Sequence, residues 1–255
     1  DGKASGMAAR SATAAWGLRL GVLGLVLLAA GVAVSRLAPA SFQIALGAVA
    51  LGALVGVLAI LVSAAGLLVA LVSGRKGARK AIIGLVLGLG LAAPVAQAVI
   101  VGSQVPRIHD ITTDLANPPQ FVALAGNRGD YANPLDRTLP ADLAALQEKA
   151  YPDIQTVAIN LAPARVFEAA LATARDMGWE IVETDPEAGR IEATATTLVM
   201  QFRDDVSIRI TPTPGGGSAV DMRSVSRVGE SDLGANANRI RTFMVALKQK
   251  LGFQE

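Results

Sequence analysis

The sequence predicts two structural classes in one chain: a three-helix transmembrane region followed by an α+β domain. Three observations carry this. Hydrophobic residues make up 52% of the chain and aromatics only 4%, and the apolar residues, mostly Ala, Leu, Val and Gly, concentrate before residue 106. They form runs at about 18–37, 42–72 and 81–105, each long enough for the roughly 20 residues that cross about 30 Å of hydrocarbon. From about residue 154 onward, period-two alternation and helical spacing take turns, the pattern of sheet and helix in one domain. The chain divides into a membrane region 1–105, an extended linker 106–150 and a domain 151–255.

Composition also excludes. A net charge of +2 is not that of a strongly basic nucleic-acid binder. There is no cysteine and one histidine, His109, which removes disulfides, thiolate metal sites, a Cys nucleophile and a multi-His metal centre. No cofactor or metal is expected. The chain opens on Asp1, and Met7 begins "MAARSATAAW", which reads as a natural start, so residues 1–6 are expected to be an extension.

The first apolar run, "LRLGVLGLVLLAAGVAVSRL", has a basic flank and is followed by Ala38, Pro39 and Ala40, as a signal peptide would be. Pro39 beside Arg36 makes a poor cleavage site, so the run reads as a retained helix. The second run is longer than a span needs and is expected to tilt or project. The third contains Pro94, expected to bend it or be accommodated by neighbours. Between Gly2 and Val105 there is no Asp or Glu, which argues against a proton or ion pathway. Gly17 and Gly21, Gly52 and Gly56, and Gly84 and Gly88 each form a G-x-x-x-G pair, read as internal helix packing ahead of a dedicated docking face. Lys3, Arg10 and Arg19 precede or open the first span, and Arg75, Lys76, Arg79 and Lys80 fill the loop between the second and third; the other loop carries only Arg36. The positive-inside rule then puts the N-terminus in the cytoplasm and everything after residue 106 across a bacterial inner membrane, in the periplasm.

The linker is rich in Pro, Asn and Asp and shows no strong period before a short helix at 141–150. A loop of this length is unusual inside a compact domain, so it is expected to lie along the domain or on a partner. His109, Asp110 and Asp114 within it read as solvated loop residues ahead of metal ligands. In the domain, "IQTVAIN" reads as a strand and "APARVFEAALATARDMG" as an amphipathic helix, with Pro163 in its first turn and Gly178 at its end. "WEIVETD", "RIEATATTLV", "DDVSIRIT" and "AVDMRSVSRV" read as four further strands separated by turn residues, and 232–251 as a closing helix. The order is β-α-β-β-β-β-α: an antiparallel sheet with helices on one face. Trp179, Phe167, Met200 and Phe243 read as ordinary core ahead of a lipid-cavity lining.

"FRDDVSIRI", followed by "MRSVSRVGESDLGANANRIR", resembles the signature of the domain of unknown function 1499 family, and "HDITTDLANPPQF" and "AYPDI" are similar to upstream segments of its members. The resemblance covers about 106–251. It implies an exported or membrane-attached protein and no particular activity. The strand order also resembles helix-grip modules of envelope assembly proteins, by analogy alone.

The polar end of that signature is the candidate site: Asp204, Asp205, Arg223, Ser226, Arg227, Ser231, Asp232, Asn236 and Arg239. Alternation puts Asp221, Arg223, Val225 and Arg227 on one side of the last strand and Val220, Met222, Ser224 and Ser226 on the other. Antiparallel pairing through the Gly-rich turn brings an Asp of 204–205 toward Arg223 or Arg227. Ser231 or Asp232 is positioned to cap the last helix, whose Asn236 and Arg239 reach back to the loop. Three readings compete. In the leading one the cluster is a structural brace. In the second, Arg227 and Arg239 beside a helix N-terminus hold an anion, although Asp232 opposes the field. In the third, Asp204 and Asp205 act as acid and base, or Ser226 as nucleophile, although adjacent strand residues face opposite ways and no base accompanies the serine. No catalytic residue is assigned, and the chain is not expected to be an enzyme. The expected partners are the bilayer and other subunits of a membrane complex, which makes this an accessory or scaffold subunit. The alternative is a lipid or anionic-ligand binding module.

Overall fold

The computed structural model describes residues 11–138 and 140–253; residues 1–6 and Met7 lie outside them. The chain divides into two compact units, Asp1–Ile100 and Val101–Glu255.

The first unit is helical: α1 (Ala12–Leu37), a 3-10 turn (Pro39–Ser41), α2 (Phe42–Ser73) and α3 (Ala78–Gln104). α1 begins earlier than its apolar run because Ser11 caps it, its Oγ accepting from the Ala14 amide at 3.2 Å. α3 runs through Pro94 unbroken. All three helices are long and apolar enough to cross a membrane, and the protein is membrane-anchored. Their packing is inverted relative to a water-soluble bundle. Small residues are buried, among them Gly17, Gly21, Gly52, Gly56, Ser63, Gly84 and Gly88, while large aliphatics face out, Leu61 at 62% and Val86 at 63% exposure. That is the arrangement expected where the surroundings are as apolar as leucine and close backbone approach supplies the association.

The three G-x-x-x-G pairs meet one another. A Cβ on Gly84 would lie 2.8 Å from the Gly17 carbonyl carbon and 2.2 Å from Ser63 Oγ, and one on Gly88 would lie 2.6 Å from the Gly56 oxygen. Gly84→Leu should therefore force α3 off α1 and α2, costing at least the roughly 1–3 kcal/mol of ordinary overpacking. Gly90→Leu, on an open face of the same helix, should be neutral. Unfolding titrations of both variants in detergent measure the difference.

The second unit is built on a six-stranded antiparallel sheet of order β1-β6-β5-β4-β3, with β2 also on β6. Its elements are β1 (Asp110–Thr112), α4 (Leu143–Ala150), β2 (Val157–Ile159), α5 (Pro163–Asp176), β3 (Glu180–Asp185), β4 (Arg190–Thr196), β5 (Arg203–Pro212), β6 (Ser218–Ser226) and α6 (Ala235–Lys250). The order read from the sequence lacks one strand. β1 comes from the 106–150 segment and pairs with the end of β6, Asp110 opposite Val225 and Thr112 opposite Arg223. Three residues carry no alternation of their own; what makes them a strand is the β6 edge. The free edge of β1 is closed by a side chain: the Gln147 amide accepts from Thr112 N at 3.1 Å and donates to Thr112 O at 2.6 Å, replacing the missing neighbour. β4 ends at Thr196, short of Val199, which is exposed in the β4–β5 loop.

α5 and α6 cover one face. Val166, Phe167, Ala170, Leu171 and Ala174 of α5 meet Ile240, Phe243 and Leu247 of α6 above Ile191, Ala193, Val206, Ile208, Val220 and Met222 of the sheet. Trp179 stacks on Phe243 with ring centroids 5.5 Å apart. These aromatics fill the interior, whereas Met200 lies outside it, half-buried in the β4–β5 loop. Gly189 marks the β3–β4 turn: its φ is +65°, and a Cβ there would come within 2.1 Å of the Ile210 oxygen.

Candidate functional site

The opposite sheet face is polar. Strand register lines up Arg190, Arg209 and Asp221 in one row, Glu192, Ser207 and Arg223 in the next, and Thr194, Asp205 and Val225 in a third. Solvent does not cover these charges. Glu192, Asp205 and Ser207 are fully buried and Arg223 is 1% exposed, under residues 113–138, a segment with one 3-10 turn (Leu124–Gly126) and otherwise irregular. Such a face is tolerable only if every charge finds a partner.

Arg223 forks onto Asp110, Nε to Oδ1 at 3.1 Å and Nη2 to Oδ2 at 2.7 Å, and donates to the Leu135 carbonyl at 2.6 Å. The Phe121 ring lies 5.2 Å from its guanidinium carbon. Arg137 donates to the same Asp110 carboxylate. Arg227 forks onto Asp205, with Nη2 at 2.8 Å, and Arg128 Nε reaches the other oxygen at 2.7 Å. Thr194 completes the Asp205 shell at 3.0 Å. Arg209 bridges Asp114 at 2.9 Å and Asp221 at 2.8 Å. Glu192 accepts from the backbone amides of Val122 at 2.7 Å and Leu124 at 2.8 Å, so an acid on β4 holds the cover as an anion-binding turn holds a phosphate. Phe121, Leu124 and Leu135 close on Val225. Asp110 and Asp114, expected to be solvated, are thus arginine partners.

The remaining candidates lie on the helix side. Asn236, fully buried in the first turn of α6, is their hub. Its Oδ1 accepts from Ser224 Oγ at 2.7 Å and from Arg239, and its Nδ2 donates to the His109 carbonyl at 2.9 Å and Ser226 Oγ at 3.0 Å. Arg239 also pairs with Asp204. α6 starts at Ala235, after Gly234 in a left-handed conformation, so Asp232 acts from outside the helix. Its oxygens accept from the amides of Gly234 at 2.8 Å and Asn236 at 2.9 Å. Ser231 Oγ accepts from the Leu233 amide at 3.3 Å.

The nine candidates therefore form two groups on opposite faces rather than one cluster. Asp205, Arg223 and Arg227 lie under the cover; Asp204, Ser226, Asn236 and Arg239 lie against α6, with Ser231 and Asp232 in the loop before it. Arg227 and Arg239 both end on carboxylates. Ser226 Oγ meets an amide N–H, not a base, and the two aspartates face apart. The sequence reading missed Asp110, Arg128, Arg137, Gln147 and Glu192, which complete the brace from residues far away in the chain. The surplus of acids in "HDITTD" was the one available signal.

Residues 110–247 match the family described as protein of unknown function (DUF1499). The chain belongs to the domain of unknown function 1499 family. No curated protein matches the chain. The match to the unknown-function family starts at Asp110 and ends at Leu247, so it takes in β1, the cover and most of α6, the elements that the ion pairs join.

The pKa directions differ across the brace. Burial opposes the charge on Arg227, but the hydrogen bonds and field of Asp205 outweigh it and raise its pKa. On Arg137 burial wins and lowers it, despite Asp110. Asp232 is raised above 3.8, first by burial, against the stabilising amides of Asn236 and Gly234, and further by the nearby Asp204 charge.

Asp205→Asn leaves the buried guanidiniums of Arg227 and Arg128 unmatched and should cost about 3–5 kcal/mol; Arg227→Ala leaves Asp205 its Arg128 partner and should cost less, both read by Trp179 fluorescence in a Trp16→Phe background during denaturant unfolding. Between 3.8 and its raised value, Asp232 is more protonated in the folded chain than in the unfolded one. Its contribution to stability therefore falls as pH rises through that window. The stability of the parent relative to Asp232→Asn should decline across the same interval.

Proposed function

We propose that this protein is a non-catalytic accessory or scaffold subunit of a bacterial inner membrane, with its N-terminus cytoplasmic and its C-terminal domain in the periplasm, where the domain contacts a larger membrane complex. The observation that carries this reading is the pairing of the signature's own charges. Asp205, Arg223, Arg227 and Arg239 are each bound internally, which leaves no activated nucleophile or acid–base pair among them. The absence of Asp and Glu between Gly2 and Val105 supports helices that anchor rather than conduct. The basic residues at Arg75, Lys76, Arg79 and Lys80 support the orientation.

The chain has no cysteine, so Glu187→Cys gives a clean topology probe. A membrane-impermeant maleimide should label it in spheroplasts without lysis, and labelling only after lysis overturns the orientation. In mild detergent the protein should migrate in stoichiometric complex with other membrane subunits. A free monomer under every gentle extraction overturns the accessory role.

A further inference from the structure

The first turn of α5, the β3–β4 turn and the end of β5 enclose a cavity of about 460 Å³. Pro163 and Phe167 come from α5, Pro186 and Ala188 from the turn, and Ile210 and Pro212 from β5. Phe167 and Ile210 are buried and supply its apolar interior, while Pro186 and Ala188 are exposed at its rim. The walls are held in place. Ile210 N donates to Gly189 O at 2.8 Å and Ala188 N to Asp185 Oδ1 at 2.9 Å, and a proline ring fixes φ at each of 163, 186 and 212. A site formed before its ligand arrives loses less on binding than one the ligand must order.

The charged groups of the lining are both acidic, Glu168 and Glu187, in a chain whose net charge is +2. Both are exposed, and among the described residues neither has an ion pair. Exposed acids elsewhere on the domain are matched, Asp153 by Arg241 and Asp176 by Lys250. Arg190, just after the turn, is already shared by Glu183, Asp185 and Glu192. The prolines bring no backbone N–H, so the lining is short of hydrogen-bond donors as well as cations. It complements an apolar group carried beside a positive charge. A free small ligand is normally buried over most of its surface. This cavity is open along Glu168, Pro186, Glu187 and Ala188, which suits a side chain reaching in from a larger body. A second copy of the chain would set like charges against each other.

We propose that this cavity docks a segment of a partner protein in which an apolar side chain is flanked by lysine or arginine. The apolar side chain enters against Phe167 and Ile210, and the flanking cations face Glu168 and Glu187. Exposed pairs of this kind set register and encounter rate more than affinity. The proposal rests on the reading of the domain as a contact module and names the chemistry of one contact.

The test titrates the full chain, in the uncharged detergent dodecyl maltoside, with the capped peptide Lys-Lys-Leu-Leu-Lys-Lys in a calorimeter. Binding should be saturable, weakened several-fold by Glu168→Gln with Glu187→Gln, and abolished by Ala188→Trp or, from the opposite wall, Ala164→Trp. Circular dichroism identifies which blocking variant is folded and can be read. Peptides with serine for leucine, or glutamate for lysine, should not bind. Absence of saturable binding overturns the proposal, as does equal binding of either control peptide or binding that a folded blocking variant leaves undiminished. Self-association of the chain that the blocking variants abolish overturns it in favour of a second copy. A native complex that co-purifies undiminished with a folded blocking variant overturns this cavity as the contact and leaves the accessory reading standing.

Discussion

The C-terminal domain depends on one constraint: both faces of its sheet are buried, but by opposite chemistry. One face is covered by helices through aliphatic and aromatic contact. The other carries Arg190, Glu192, Asp205, Arg209, Asp221, Arg223 and Arg227, and is closed by a segment that is mostly irregular. Ion pairs in such a place are weak evidence for stability, because each charge has been removed from water. Their contribution is geometric. A guanidinium fork on a carboxylate fixes distance and plane together. Arg223 on Asp110 and Arg227 on Asp205 therefore set where the cover crosses the strands. Glu192 does the same with the amides of 122–124.

The helix side uses a smaller version of this device. Asn236 joins β6, the backbone at His109 and Arg239 with all its hydrogen-bonding groups engaged. The start of α6, the start of β1 and the end of β6 thereby meet at one residue. The family match spans the same elements.

The sequence made much of this visible, and the parts it hid share a cause. The strands β3 to β6 and the helices α5 and α6 were legible because each carries its own period, and β2 because it lies within the longer apolar stretch "IQTVAIN". The split of β6 into Met222 and Ser224 on one side and Arg223 and Arg227 on the other follows from alternation alone. The pairing of Asp205 with Arg227 was also within reach, since a short turn joins their strands. Asp110 with Arg223 was not, because 113 residues separate them and β1 is too short to show alternation. The cover was legible as an irregular segment lying along the domain or on a partner, but not as the layer that closes the second sheet face, because its hydrogen bonds go largely to side chains on distant strands. In the membrane unit, the glycine spacing indicated close packing, while the choice of neighbours had to come from the helices' three-dimensional arrangement.

The ionic face has a further consequence for a domain tethered to a membrane. A second apolar sheet face would have two competing destinations, the cover and lipid hydrocarbon. Partition of aliphatic side chains into lipid is favourable and non-directional, so an apolar face would permit misplacement on the bilayer. A face of arginines and carboxylates has no such alternative, because charges do not enter hydrocarbon without cost. It can be closed only by groups that supply matching hydrogen bonds, which here means residues 110–137 of the same chain. On this argument the polar face gives up some stability relative to a packed apolar one and gains selectivity for its own cover in a setting where hydrophobic burial alone does not discriminate.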